Sequence, residues 1–397
     1  MTSTTIPAAT VPPAMLTNAQ LAIVTIARLA LNIAFRIIYP LQPFLTNQLN
    51  VDLQTVSLLV TVQLLASLFS PLGGTLADTR GERFTMSVGL SIFCVGTIIC
   101  IVAGGFGGFL AGYALIGLAM SLYQPSATAY LSARTPYTRR GWALGVYETS
   151  WAGAALIGVA PLMQVVQVTQ STALVYWVLL GLGVAALAMV RLMLPPTPQR
   201  QRQPGVGMLD WRALANPSVV AILSVMTLVM FGYDLYGVAQ SPWLKQFFQA
   251  SEGMLGQTFL AAGVAELIGS VAVAFLVDRI GKRRAAFGGF IVAGLALALL
   301  PTATSWEMLL GLLFVFFLAE EFAIVAALPL VSGVAPTARG TVVALTIVTT
   351  SIGRAVGAAL SPILFQSTGI AFNTTVAALL TCTAALIGFL LVREAES

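Results

Sequence analysis

Twelve apolar runs, each long enough to cross a bilayer, leave this chain almost no choice of surroundings. They occupy residues 19–44, 53–76, 84–103, 107–131, 141–165, 172–194, 218–243, 255–277, 285–303, 307–331, 341–366 and 371–392. A helix spans the hydrocarbon core with about 20 residues. No water is available there to satisfy backbone groups, so such runs must close their own hydrogen bonds as helices. Charged residues make up 8% of the chain and hydrophobic residues 58%, whereas soluble domains carry about 25% charged residues. The mean hydropathy of +0.92 agrees. The sequence therefore predicts an all-α polytopic membrane protein with twelve transmembrane helices.

The loops fix the orientation. Residues 1–17 are rich in Thr, Pro and Ala and lack a basic stretch followed by a cleavable apolar core. They read as a disordered cytoplasmic tail, with the first apolar run retained. Fifteen Lys and Arg residues fall in the loops after even-numbered runs and the C-terminal tail, against only Lys245 after odd-numbered ones. By the positive-inside rule both termini are expected to be cytoplasmic, in a cell (inner) membrane. The formal charge of +5 thus reports membrane topology and not nucleic-acid binding. Cys94, Cys100 and Cys382 all lie within apolar runs, so no disulfide framework is expected. The chain has no histidine, which removes histidine metal ligands, bases and proton relays. No metal or cofactor is expected.

The runs divide into two sets of six. Residues 196–217 have linker composition, with Leu209-Asp210-Trp211-Arg212 suggesting a short amphipathic turn. The halves 18–195 and 218–397 then align in near-constant register: Pro43-Phe44-Leu45 with Pro242-Trp243-Leu244, Arg140-Gly141 with Arg339-Gly340, Gly153 with Gly353, Pro161 with Pro362. Parallel repeats of this kind place a substrate site near the bilayer midplane, between the halves. The prediction is two pseudo-symmetric six-helix bundles.

Two charged hairpin turns recur in the repeat. The first is Gly73-Gly74-Thr75-Leu76-Ala77-Asp78-Thr79-Arg80-Gly81-Glu82-Arg83. Gly74 suits close helix contact and Gly81 a turn with positive φ. The second is Val277-Asp278-Arg279-Ile280-Gly281-Lys282-Arg283-Arg284. The pattern Gly74-x-Leu76-Ala77-Asp78-x-x-Gly81-x-Arg83 resembles the signature loop between helices 2 and 3 of the major facilitator superfamily, and the second turn resembles its weaker copy. The nearest likeness is to the drug:proton antiporter and sugar-efflux-like branches. The resemblance implies alternating access by a functional monomer. It also implies that Gly74, Asp78, Gly81, Arg83, Asp278, Gly281 and Arg284 form conformational gate loops, with Asp78 facing the start of helix 11 in the outward-open state. Two departures stand out. Gly153, Gly158 and Pro161 match the antiporter glycine-proline motif only loosely, and Tyr113 occupies the place where drug:proton antiporters carry an arginine.

Charges inside a membrane are costly and usually face the bundle interior. They fall on helices 1, 5, 7, 8, 10 and 11, as Arg28, Arg36, Glu148, Asp234, Glu266, Glu320, Glu321 and Arg354, while helices 3, 6, 9 and 12 carry none. The resemblance makes those four the outer helices. Arg28, Asn32 and Arg36 form one stripe along helix 1, suited either to substrate contact or to pairing with neighbouring carboxylates. Superposing the halves puts Asp234 within one position of Arg36, so a gate contact between these two is expected. Glu320 and Glu321 are adjacent, so only one can project squarely into a cavity. Either they carry a coupling proton, their mutual repulsion disfavouring double ionisation, or Arg28 or Arg354 neutralises them. Phe35, Tyr39, Tyr123, Tyr147, Trp151, Met230, Phe231, Tyr233, Tyr236, Phe317 and Phe322 supply apolar lining.

These residues point to a proton-driven secondary transporter exporting a small amphipathic or cationic compound. A symporter or uniporter importing a metabolite and a transport-dead membrane sensor remain as alternatives. No nucleophile–base arrangement suggests an enzyme, and no Gly-x-x-x-x-Gly-Lys-Ser/Thr loop suggests an ATP-driven pump. The expected partners are a small-molecule substrate, protons and the lipid bilayer.

Overall fold

The computed structural model describes residues 15–195, 211–335 and 338–393. Most of the expected tail and linker lies outside these residues. Of the expected turn, Leu209 and Asp210 lie outside them, and Trp211 and Arg212 fall in a 3₁₀ turn, Trp211–Ala215.

Twelve helices are long and apolar enough to cross a membrane. We number them α1 (Asn18–Leu49), α2 (Leu53–Arg80), α3 (Glu82–Val102), α4 (Phe106–Arg134), α5 (Arg139–Thr169) and α6 (Ala173–Met193) in the first half. The second half holds α7 (Pro217–Phe247), α8 (Glu252–Ile280), α9 (Lys282–Thr302), α10 (Trp306–Gly333), α11 (Thr341–Thr368) and α12 (Ile370–Leu391). Several run past the apolar cores read from sequence because polar caps extend them. Thr17 and Gln20 close a capping box on α1, and Asp52, Ser251 and Ser305 accept backbone N–H bonds at the starts of α2, α8 and α10.

Both hairpin turns are as tight as the sequence suggests. A single glycine separates α2 from α3 and α8 from α9, with φ of 91° at Gly81 and 88° at Gly281, a region open mainly to glycine. The expected close contact at Gly74 is absent: a Cβ there would meet nothing within 4 Å. Its neighbour Gly73 has that role, since a Cβ would sit 2.7 Å from the Ser121 carbonyl of α4.

Two helices are broken in mid-span. In α2 a 3₁₀ turn, Ala66–Phe69, precedes Pro71, whose missing N–H interrupts the ladder. In α5 a π turn, Ala154–Val159, precedes Pro161. Such turns hold one residue more than the α-helical ladder accommodates.

The helices without internal charge are peripheral. Val95, Ile98 and Val102 on α3, Trp177 and Val184 on α6, Leu295 and Leu299 on α9, and Leu386 and Leu390 on α12 are all exposed. In water this would be a liability, but in lipid no hydrophobic cost attaches to it.

The two bundles meet asymmetrically along their length. We call the end holding Met15 and Arg393 the tail end and the opposite end the far end. At the far end α11 packs on the Leu53–Leu65 segment of α2, and α8 packs on the Ala160–Thr169 segment of α5. Toward the tail end these contacts fall away. There Phe69 and Leu72 of α2 and Val343 and Ile347 of α11 are exposed, and so is Asp78. The molecule is closed at the far end and open at the tail end.

Candidate functional site

The polar stripe of α1 is buried along its whole length, with Arg28, Asn32 and Arg36 each at most 4% exposed. It docks on α5. The Arg28 guanidinium donates to the Tyr147 carbonyl at 3.3 Å, Asn32 Nδ2 to Ser150 Oγ at 3.2 Å, and Arg36 to the Trp151 carbonyl at 3.1 Å. Arg28 also lies over the Tyr147 ring at 4.2 Å and Arg36 over the Trp151 indole at 4.5 Å. Stacking of this kind favours a desolvated cation.

Each arginine has a carboxylate. Arg28 pairs with Glu148 at 2.8 Å, and the Glu148 side chain remains 48% exposed toward the open end. Arg36 pairs with Glu266 of α8 through two parallel bonds of 2.7 and 2.9 Å, both residues being almost wholly buried. This fork-to-fork geometry is the strong form of the contact, and it crosses between the halves. Arg354 of α11 donates from Nε to Asp234 of α7 at 2.6 Å. Tyr39 of α1 donates its hydroxyl proton to the other Asp234 oxygen at 2.5 Å and accepts from Arg354 at 3.1 Å. A second polar bridge thus joins the halves one turn farther along α1.

The expected Arg36–Asp234 contact is not formed. Asp234 occupies the superposed position, but it turns toward α11, where Arg354 meets it, and leaves Arg36 to Glu266. Neither Arg28 nor Arg354 forms an ion pair with Glu320 or Glu321; they pair with Glu148 and Asp234.

Glu320 and Glu321 are therefore the two intramembrane acids left over. Among the described residues neither forms a salt bridge. Their side chains diverge as adjacent positions on a helix must. Glu321 accepts from Ser270 Oγ of α8 at 2.7 Å. Glu320 is 4% exposed, and its Oε2 has no hydrogen-bond partner. Its ionisable neighbours are Glu266, Glu321 and Asp234, with Arg354 the cation nearest in effect.

Above this pair, toward the far end, lies a small cavity between the bundles. Arg36, Tyr39 and Arg354 form part of its wall, and Trp151, Tyr233, Tyr236 and Phe317 give aromatic faces. Sequence reading missed Phe259, Phe316, Gln240 and Ser241, which also line it. Phe259 was accessible in principle, two helical turns before Glu266 and so on the same face. Tyr113 is directed away from the cavity: its hydroxyl meets that of Tyr176 on α6 at 3.0 Å.

A model of the family described as the Major Facilitator Superfamily matches residues 24–236 and 222–397. Two bacterial relatives extend the likeness. The chain is 26% identical to the MFS-type transporter YwfA of Bacillus subtilis, covering 89% of this chain and 86% of that one. It is 22% identical to the fosmidomycin resistance protein of Escherichia coli, covering 72% of each. Among solved structures, the human organic anion transporter MFSD10 superposes with a TM-score of 0.75 at 18% identity, over 94% of this chain and 100% of that one.

Proposed function

The chain belongs to the Major Facilitator Superfamily, and we propose that it is a proton-coupled exporter of a small amphipathic or cationic compound. The observation that carries this reading is the charge balance of the central site. Three intramembrane arginines are each matched by one carboxylate, and two glutamates remain over. A carboxyl group held in an ion pair must break that pair before it can take up a proton. Glu320 is free of such a lock, sits one turn from the cavity-lining Phe316 and Phe317, and lies inside the bundle. An excess of acid beside aromatic faces also suits a ligand carrying a positive charge. Export is supported by the relative named for fosmidomycin resistance.

The positive-inside count supports a cytoplasmic tail end. The opening between the bundles at the tail end then faces the cytoplasm, where an exporter collects its load. The Arg36–Glu266 and Tyr39–Asp234–Arg354 bridges stand between that opening and the rest of the small aromatic cavity.

The test is transport by the full chain in proteoliposomes, with tetraphenylphosphonium as the organic cation and an entrapped pH-sensitive dye. Accumulation driven by an imposed pH gradient, with protons moving the opposite way, is the expected result. Equal transport with and without the gradient would overturn proton coupling. No movement of the organic cation would overturn the substrate class.

A further inference from the structure

The two hairpin turns at the tail end are built alike and charged differently. Each turns at a glycine of positive φ, Gly81 or Gly281. Each is bracketed by an arginine that donates to a carbonyl of its bundle's last helix. Arg83 reaches the Arg191 carbonyl on α6, and Arg283 reaches the Phe389 carbonyl on α12 at 2.7 Å. In the first turn Asp78 and Glu82 balance Arg80 and Arg83. In the second, Asp278 stands against Arg279, Lys282, Arg283 and Arg284.

Arg279 replaces Thr79 and Ile280 replaces Arg80, which cancel, so the net difference comes from two further positions. Lys282 stands where the first turn has Glu82, and Arg284 where it has Phe84. Glu82 is buried in the first turn of α3 and complements the positive end of that helix. The first turn of α9 has no acid and no side-chain cap, yet it carries three consecutive cations. The fold does not require Lys282 and Arg284, because the first copy makes the same turn and bracket with Glu82 and Phe84 in their places. Lys282 and Arg284 are exposed, and among the described residues neither forms a salt bridge.

A cleft opens at this corner, lined by Ile280, Lys282, Arg283, Arg284 and Phe389. It brings apolar Ile280 and Phe389 together with three cations, and Arg283 Nε is buried without a hydrogen-bond partner. The cleft sits at the tail-end termini of α8, α9 and α12. Leu386 and Leu390 continue the apolar surface along α12 into the hydrocarbon.

We propose that this corner binds the phosphate headgroup of an anionic phospholipid, with Lys282 and Arg284 on the phosphate oxygens and the acyl chains lying along α12. Basic pockets between transmembrane helices suit such headgroups, and the cations supply charge-assisted donors.

The test is native mass spectrometry of the full chain titrated with phosphatidylglycerol, with phosphatidylcholine as the zwitterionic control. The wild type should prefer phosphatidylglycerol. Lys282→Glu/Arg284→Phe, which installs the residues of the first turn and removes three units of positive charge, should weaken that binding about a hundredfold, at roughly fivefold per unit charge. Lys282→Gln alone should lose about fivefold and serves as the readout if the double variant does not fold. Equal phosphatidylglycerol binding by wild type and variants would overturn the site. So would binding of inorganic phosphate with no preference between the two lipids, which would assign the corner to a soluble anion. Phosphatidylglycerol binding that emerges only in Glu394→Gln/Glu396→Gln would overturn it in favour of the chain's own acidic end as the occupant.

Discussion

Gln54 of α2 and Gln366 of α11 meet side chain to side chain at 3.0 Å, at the position that the internal repeat relates to Gly253 of α8 and Gln167 of α5. That second pair is also joined, Gly253 N–H donating to Gln167 Oε1 at 2.5 Å, with Gln164 donating to the Gly253 carbonyl at 3.1 Å. The far end is thus fastened twice, by contacts that obey the pseudo-two-fold and carry no charge. Uncharged latches hold without the desolvation penalty of ion pairs, which suits a contact that the proposed transport cycle would open.

Cysteines at Gln54 and Gln366, in a background without Cys94, Cys100 and Cys382, should therefore join through a short bifunctional thiol reagent and arrest transport. A gel-mobility assay before and after cleavage of the reagent, paired with flux, checks this. Undiminished flux in a fully cross-linked sample would show that the far end need not part.

The Arg36–Glu266 fork should behave as a buried pair. Glu266→Gln leaves the Arg36 guanidinium without its counter-charge, a loss of about 3–5 kcal/mol for buried pairs. The thermal midpoint in detergent should fall by several degrees, and Arg36→Gln/Glu266→Gln should recover much of the loss. Additive losses in the double variant would mean that the two residues do not stabilise the protein through each other.

Glu320 and Glu321 should separate in function. Glu320→Gln should abolish accumulation driven by a pH gradient yet spare substrate exchange at equal pH, because exchange needs no net proton movement. Glu321→Gln should keep driven transport, its neighbour Ser270 being the contact at stake. Both assays on both variants decide it. If Glu320→Gln still accumulates substrate, the proton moves elsewhere, with Glu148 and Asp234 as the next residues to replace.

Asp78→Asn should leave the thermal midpoint of the tail-open state unchanged, since Asp78 is exposed there. It should nonetheless slow transport severalfold, because the resemblance of its loop implies a lock made only when the tail end shuts. Wild-type flux from the variant would remove that role.

The spans were legible because length and hydropathy alone decide them. Arg28, Asn32 and Arg36 were legible as one face because a four-residue spacing fixes direction on a helix. Partners were not. Superposing the repeats places Asp234 beside the level of Arg36, but level says nothing about rotation, and the side chain turns to Arg354. Gln54 and Gln366 look like ordinary polar residues near helix ends until the bundles are brought together. The π turn at Ala154–Val159 has no marker except Pro161 beyond it, which could equally have made a plain kink.

That π turn gives α5 a pitch fault, and the fault has a mechanical consequence. Taking up its extra residue would turn the Arg139–Gly153 side about 100° against the far side and shift it by about 1.5 Å, one residue's worth of helix. Glu148, Ser150 and Trp151 all lie on the turning side, while Arg28, Asn32 and Arg36 stay with α1. The whole ladder of contacts between α1 and α5 would then slip together, as teeth disengage on a rack. Whether that ladder is engaged is a direct record of whether the turn is wound wide or tight.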